Sequence, residues 1–327
     1  MIRYAVRRLL YGVLVLLGVN LVTFFLFFTV NTPDDMARLN IGGKRVTQEL
    51  IDKWKIERGY DKPLYFNPAE QGAARVTETI FWERSVSLFT LNFGRADSES
   101  AGDIGHEVAT RMWVSMQLAL PIFILQVIAS TAFALLLVMF RHTKLDFFGV
   151  VLCVLMLSIS SLFYIIVGQY LFSRVLRLVP ISGYAPGLDA LRFLVLPVLL
   201  SALARLGAEA RLYRAMLLEE IGKDYVRTAR AKGLAETVVL YRHVLRNALI
   251  PIITSAGGYL PYVFMGSLVF ESFFGIPGLG AYVIEAISKQ DFAVVRTMVF
   301  VGSLLYIATY VLIDLAYTWV DPRVRLS

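Results

Sequence analysis

Six long apolar runs constrain this chain more than any other feature. They cover residues 9–30, 112–140, 147–172, 191–213, 248–269 and 297–320. A helix needs roughly 20 mostly apolar residues to cross a hydrocarbon core, and only structures that close their own backbone hydrogen bonds survive there. Every run is long enough, so the pattern predicts an all-α integral membrane protein with six transmembrane helices. The fourth run is the weakest, because Arg205, Glu209 and Arg211 crowd its C-terminal part. Those charges are expected at the cytoplasmic end of a helix that outruns the bilayer. Composition agrees: 57% of residues are hydrophobic and 17% charged, against about 45–50% apolar and about 25% charged in soluble domains. A net charge of +7 would favour nucleic-acid binding in a soluble chain. Beside apolar spans it reads as Lys and Arg retained on the cytoplasmic side, with no nucleic-acid partner. The one cysteine, Cys153, lies inside an apolar run and leaves no intrachain disulfide to form. The first run is longer than a secretory h-region and no small-residue cleavage pattern follows it, so it is expected to remain as the first span.

Orientation follows from basic residues in short loops. Arg3, Arg7 and Arg8 flank the first span, Arg141 and Lys144 lie between the second and third, and Arg323 and Arg325 follow the sixth. Placing all of them inside puts both termini in the cytoplasm. Only a short segment with Arg174, Arg177 and Arg192 disagrees. The chain then divides into an N-terminal segment with the first span (1–30), a small extracytoplasmic subdomain (31–111) and a transmembrane domain (112–327) that carries a large loop at 211–246. In the subdomain, Thr47 is a candidate N-cap before an amphipathic helix on which Leu50, Ile51 and Trp54 recur. Gly59, Pro63 and Pro68 mark turns, and 76–89 reads as another helix. Gly42-Gly43-Lys44 lacks the full phosphate-loop pattern and reads as a turn, so ATP binding by this chain is not expected. Between the last two spans, Gly275, Pro277, Gly278 and Gly280 interrupt any helix, and 281–288 forms a short one.

The loop at 211–246 reads RLYRAMLLEEIGKDYVRTARAKGLAETVVLYRHVLR. It is basic, yet it has the helix formers and the glycine of ordered structure. The pattern predicts one helix over 219–234, a turn at Gly233 and a second helix from Ala235. A structured basic loop between spans predicts a docking surface for a cytoplasmic partner.

In that loop, DYVRTARAKGL resembles the permease signature of binding-protein-dependent ABC importers, in the wording of the dipeptide/oligopeptide/nickel subfamily. Ala229 and Gly233 keep the signature's places, Arg227 and Thr228 stand where Glu and Ala are usual, and Leu245 is kept while His243 and Arg246 replace an Ile and a Pro. The segments VRRLL, GYDKPL, LNFG, FGIPGLG and VDPRVRL are similar to the B-type subunits of these importers, so the resemblance covers most of the chain. The third span departs from it, with SSLFY from Ser160 where a Pro-containing stretch is expected.

The resemblance implies a non-catalytic translocation subunit that forms half of a path for di- or oligopeptides or peptide-like solutes. It implies a bacterial cytoplasmic (inner) membrane location, a C-type permease partner, two cytoplasmic ATPases that bind ATP and Mg²⁺, and an extracytoplasmic solute-binding protein. Lipid is the remaining partner. No cofactor is expected on this chain. The segment with Asp224, Tyr225, Arg227, Thr228, Ala229, Arg230, Lys232, Gly233, Leu234 and Glu236 would be the coupling helix and turn, with Arg227, Arg230 and Lys232 meeting acidic groups on an ATPase. Trp54, Tyr60 and Trp82 are candidate contacts for the binding protein, with packing of the subdomain on itself as the alternative.

Polar residues inside spans have two readings, a solute path or helix–helix hydrogen bonds. Ser158, Ser161 and Gln169 are candidate path residues on these terms, and Gln117 and Gln126 share the ambiguity. Glu271, at the outer end of the fifth span, is a candidate outer gate or a solvated helix end. His106, His142 and His243 lie in separate loops without metal-ligand spacing. Two competing functions have weaker support. A membrane-embedded enzyme would show a motif such as H-E-x-x-H or a nucleophile elbow. A self-sufficient secondary transporter would show repeat symmetry.

Overall fold

The computed structural model describes residues 2–42, 46–98 and 102–320. The Gly43-Lys44 pair and the VDPRVRL ending past Val320 lie outside the described residues. Four helical stretches are long and apolar enough to cross a membrane: Leu10–Val30, Ile104–Met139, Gly187–Ile221 and Phe292–Val311. Two further pairs, Lys144–Ser158 with Ser161–Val175 and Glu236–Gly257 with Leu260–Phe274, bend by 91° and 43° at their breaks. Counting each bent pair as one span gives six. Among the described residues the only β pairing is an isolated bridge between Arg95 and Asp103.

The two bends have different causes. At Ile159 and Ser160 the backbone is extended, and the Ser160 side chain accepts the Leu162 N–H. A serine N-cap therefore restarts the helix where the resemblance led us to expect a proline. In the fifth span, the Arg246–Gly257 helix ends at Gly258 and Pro261 opens the next helix, the ordinary use of Pro in a first turn.

The chain forms two compact units, Met1–Trp113 with Gly278–Ser327, and Val114–Pro277. In the first unit, Leu16 of the first helix packs with Phe300 of the last, and Asn20 Nδ2 donates to the Ser85 carbonyl at 3.2 Å. Helix Gln48–Arg58 forms as expected, and Thr47 holds the N-cap position through backbone geometry, without a side-chain hydrogen bond. The expected helix over 76–89 is instead three pieces: Ala74–Thr77, Ile80–Arg84 and a 3₁₀ turn at Val86–Thr90. Thr79 explains the first break, because its extended backbone lets its hydroxyl cap the Trp82 N–H at 3.3 Å. The last helix, Phe292–Val320, has two carboxylates at its N-terminus. Asp291 accepts the Val294 N–H at 3.1 Å, and Asp97 accepts the Ala293 N–H at 3.0 Å. Asp291 also accepts the N–H groups of Asp97 and Ser98, at 3.1 and 3.0 Å, which ties the 96–98 strap to that helix end. Negative charge on the free N–H groups at a helix start is favourable twice over, as hydrogen bond and as dipole.

In the second unit, helices Lys144–Ser158 and Ala190–Ile221 approach closely at Gly207. A Cβ there would lie 2.5 Å from the Cys153 carbonyl oxygen and 2.9 Å from Met156 Cβ. Small residues at such crossings let membrane helices gain contact without a hydrophobic drive. Below this crossing Tyr213, Leu217, Val226, Val239, Leu240, Val244 and Ala248 form one buried cluster. That cluster positions the loop helix.

Candidate functional site: a two-faced loop helix and a polar intramembrane cavity

The loop differs from expectation at its start. The fourth-span helix does not stop near 213 but runs unbroken from Ala190 to Ile221, about 48 Å at 1.5 Å per residue. Glu219 and Glu220 therefore belong to the span helix, and the loop helix is the shorter segment Asp224–Ala231. The chain breaks at Gly222 and Lys223, where Lys223 takes an extended backbone (φ −75°, ψ 151°). Asp224 in the first turn suits the positive end of the new helix.

The two faces of this helix do different work. Val226 and Ala229, three residues apart, are buried in the cluster formed by the ends of the flanking spans. Tyr225 lies beside them and donates its hydroxyl to Glu220 at 2.5 Å. Burial, and then that carboxylate, push the tyrosine up to about 12. Glu220 also takes Lys223. The opposite face, with Asp224, Arg227, Thr228 and Lys232, is exposed, and Leu234 is 40% exposed just past the turn. Gly233 turns the chain with φ +76°, its N–H donating to the Arg230 carbonyl at 2.9 Å. This left-handed conformation is one that glycine adopts without strain.

The three basic residues expected to meet a partner's acids do not stand alike. Arg230 is turned inward onto Glu236, with Nε to Oε2 at 3.0 Å and an NH2 to Oε1 at 2.8 Å. Arg141, from the loop between the second and third spans, reaches the same Oε1 at 3.0 Å. Glu236 thus bridges two loops. Bidentate pairing of this kind fixes direction as well as adding energy. Arg227 has a side chain 74% exposed, and its ion-pair partner among the described residues is the still more open Asp224, at 3.5 Å. Of the three, Arg227 and Lys232 stand open to solvent, and Arg230 is a brace.

The candidate path residues separate. Ser161 lines a cavity of about 350 Å³ in the second unit, with Gln126, Ser201, Arg205, Tyr259 and Tyr262 among its polar lining. Ser158 is exposed and spends its hydroxyl on the Val154 carbonyl at 3.0 Å. Gln169 donates to the carbonyls of Ile181 and Phe273, at 2.9 and 3.2 Å, and so acts as a tie between segments. Glu271 is fully buried, contrary to a solvated helix end. It accepts the Ser115 hydroxyl at 2.7 Å and the Ser267 N–H at 3.2 Å. Of the charges crowding the C-terminal part of the fourth run, Arg205 is exposed and lines the cavity, and Glu209 is buried. Sequence reasoning missed Arg205, Ser201 and Tyr259. Their available signal was the four-residue spacing of Ser201, Arg205 and Glu209, which places all three on one helix face.

In the extracytoplasmic candidates, Trp54 and Tyr60 are buried and stacked on each other, with ring centroids 5.5 Å apart. They are the subdomain's own core. Trp82 is 41% exposed and is the one of the three left with a surface.

Four helices long and apolar enough to cross a membrane, or six if each bent pair is one span, with an ordered helix between two of them, define a polytopic α-helical membrane protein. The model of the "Binding-protein-dependent transport system inner membrane component" family matches residues 108–326, and a companion model for the N-terminal part of such membrane components matches residues 1–85. A Brucella abortus (strain 2308) protein provisionally named a peptide transport system permease is 34% identical over 324 residues, covering 98% of both chains. The dipeptide transport system permease protein DppB of Bacillus subtilis (strain 168) is 30% identical over 330 residues, covering 100% of this chain and 99% of its own. The glutathione transport system permease protein GsiC of Salmonella typhimurium (strain LT2) is 29% identical over 325 residues, covering 99% of each. This chain belongs to the family of binding-protein-dependent transport system inner membrane components. It is a multi-pass inner membrane protein and a transport permease subunit, the membrane part of an ABC transporter.

Proposed function

We propose that this chain is the B-type transmembrane subunit of an ABC importer and forms half of its path for peptides. The observation that carries the proposal is the two-faced loop helix: Val226 and Ala229 lock one face into the span ends, while Arg227, Thr228 and Lys232 stand open on the other. A helix held this way moves with the spans when a partner pushes it. The other half of the path is a C-type permease, and two cytoplasmic ATPases hold ATP and Mg²⁺. An extracytoplasmic binding protein delivers the solute. In this arrangement both termini and the loop are cytoplasmic, Gly233 and Leu234 sit at the ATPase surface, and Trp82 is available to the binding protein. Peptides are the substrate class because the relatives carry peptide, dipeptide and glutathione names, and glutathione is itself a short peptide.

Transport requires two pore states whose relative stability depends on nucleotide. ATPase closure is converted here into displacement of the fourth and fifth spans, with Arg141 and Arg230 on Glu236 carrying the same motion toward the second and third. The test is purification and reconstitution. This chain should co-purify with two ATPase chains and a second permease, and ATP should drive peptide uptake into proteoliposomes loaded with that complex. ATP-independent peptide uptake by this chain alone would instead make it a secondary transporter.

A further inference from the structure

The cavity in the second unit contains a charge that membrane insertion alone does not account for. Arg205 lies about 22 Å along the apolar Ala190–Ile221 helix, near its middle. Its guanidinium sits 4.2 Å from the centre of the Tyr259 ring, and among the described residues it forms no ion pair. Arg at membrane depth is costly wherever lipid surrounds it, and such residues face water-filled paths or counter-charges. The rest of the polar lining consists of hydrogen-bonding groups without charge: Gln126, Ser161, Ser201, Tyr259, Tyr262 and Ser267. One of these groups is idle. Ser201 is 4% exposed, and its hydroxyl, one turn from Arg205, has no hydrogen-bond partner among the described residues. Buried hydroxyls are seldom left this way unless something else completes them.

We propose that this cavity is a transit site for carboxylate-bearing solutes, with Arg205 as the anchor for the carboxylate and Ser201 as a second donor. The proposal rests on the reading of the chain as a peptide permease and names the part of the peptide that is read, its free C-terminal carboxylate. A guanidinium suits this task, since its planar fork donates two parallel hydrogen bonds to a carboxylate. Tyr259 holds the guanidinium against its ring face. A volume of about 350 Å³ falls in the range of small-ligand sites. The site also transmits, because a single charged anchor with neutral neighbours holds a solute without trapping it.

The test uses the assembled transporter in membrane vesicles. Cys153 is the chain's one cysteine, so Cys153→Ser with Ser161→Cys leaves this chain a single thiol, on the exposed cavity wall, and labelling is read on this chain. Its rate of modification is measured with an anionic and a cationic methanethiosulfonate reagent of similar size. The anionic reagent should react about ten-fold faster, the scale of local enrichment by one charge in a low-dielectric cleft. Arg205→Gln should abolish that preference and Arg205→Lys should keep most of it. A dipeptide with a free C-terminus should slow the labelling, and its C-terminal amide should not. Equal rates for the two reagents in the Arg205 chain, a preference that survives Arg205→Gln, or a thiol that never reacts would each overturn the site. Anion preference that depends on Arg205, with no protection by any peptide, would keep an anion site and overturn its assignment to peptides. Loss of peptide uptake by the unmodified transporter would overturn the permease reading independently of the labelling rates.

Discussion

The turn after the loop helix offers the cleanest perturbation. Gly233 has φ +76°, and a Cβ built there meets nothing within 4 Å. Gly233→Ala therefore adds no clash, and its whole cost is the backbone conformation, about 1–2 kcal/mol for an L-residue in the left-handed region. That is a factor of about 5–30 in the population of the native turn. Asn tolerates this region better than other non-glycine residues, so Gly233→Asn should cost less. Gly233→Pro should cost more than either, because it fixes φ near −65° and removes the N–H that bonds Arg230 at 2.9 Å. Nothing in the spans changes, so membrane insertion should be preserved across the series. The assay is the ratio of labelled peptide taken up to ATP hydrolysed by the reconstituted complex. We expect that ratio to fall in the order Gly, Asn, Ala, Pro, with hydrolysis persisting in the Pro variant. Normal uptake per ATP in Gly233→Pro would refute the assignment of this turn to coupling.

Three further outcomes follow. Gly207→Ala pushes a methyl against the Cys153 backbone carbonyl, and overpacking of this kind costs about 1–3 kcal/mol. It should lower the thermal midpoint of the detergent-solubilised chain, and an unchanged midpoint would contradict the close crossing. Arg227→Ala should leave that midpoint within the small range of surface substitutions, about 0.5 kcal/mol, yet weaken ATPase association in a salt-dependent way. Arg230→Ala should do the reverse, since Arg230 braces Glu236 internally; identical behaviour of the two variants would argue against the division of roles. The last concerns pH. Burial, and next the Asp291 carboxylate, hold the Asp97 pKa above its ordinary value, with Tyr60, Arg84 and Arg296 also facing it. A raised native pKa means that the folded state binds the proton more tightly. Stability from this group is then fully present below the ordinary aspartate pKa and is lost as pH rises through the native value. Asp97→Asn should flatten that decline in a pH series of thermal midpoints, and an unchanged slope would contradict it.

What the linear chain makes plain is what lipid demands locally. A span must be apolar along a continuous run, so the positions of all six are written in consecutive residues and are found without knowing what packs on what. Helix Gln48–Arg58, the short helix Leu279–Ser288 and the turn at Gly233 are legible for the same reason. Capping, periodicity and the freedom of glycine operate over four or five residues. The family wording around DYVRTARAKGL is equally local.

Partnership between distant side chains cannot be read this way. Arg227 and Arg230 are both arginines on one short helix, yet one is open and the other is closed on Glu236 with Arg141 reaching in from another loop. Glu271 sits at what the sequence marks as a helix end, and only the path of the Ile104–Met139 helix brings Ser115 to it. The start of the loop helix moved to Lys223 because the span helix keeps its hydrogen bonds through Ile221, and local propensity does not say where a packed helix stops. Arg205 is the sharpest case. In sequence it is one of several charges crowding the end of a span. In the folded chain it is the single charged residue in the lining of a largely apolar cavity. Sequence alone determined where the long apolar runs of this protein lie and where its loop turns. Tertiary structure decided which charges are spent inside the fold and which stand open, because that depends on what each side chain finds within a few ångströms.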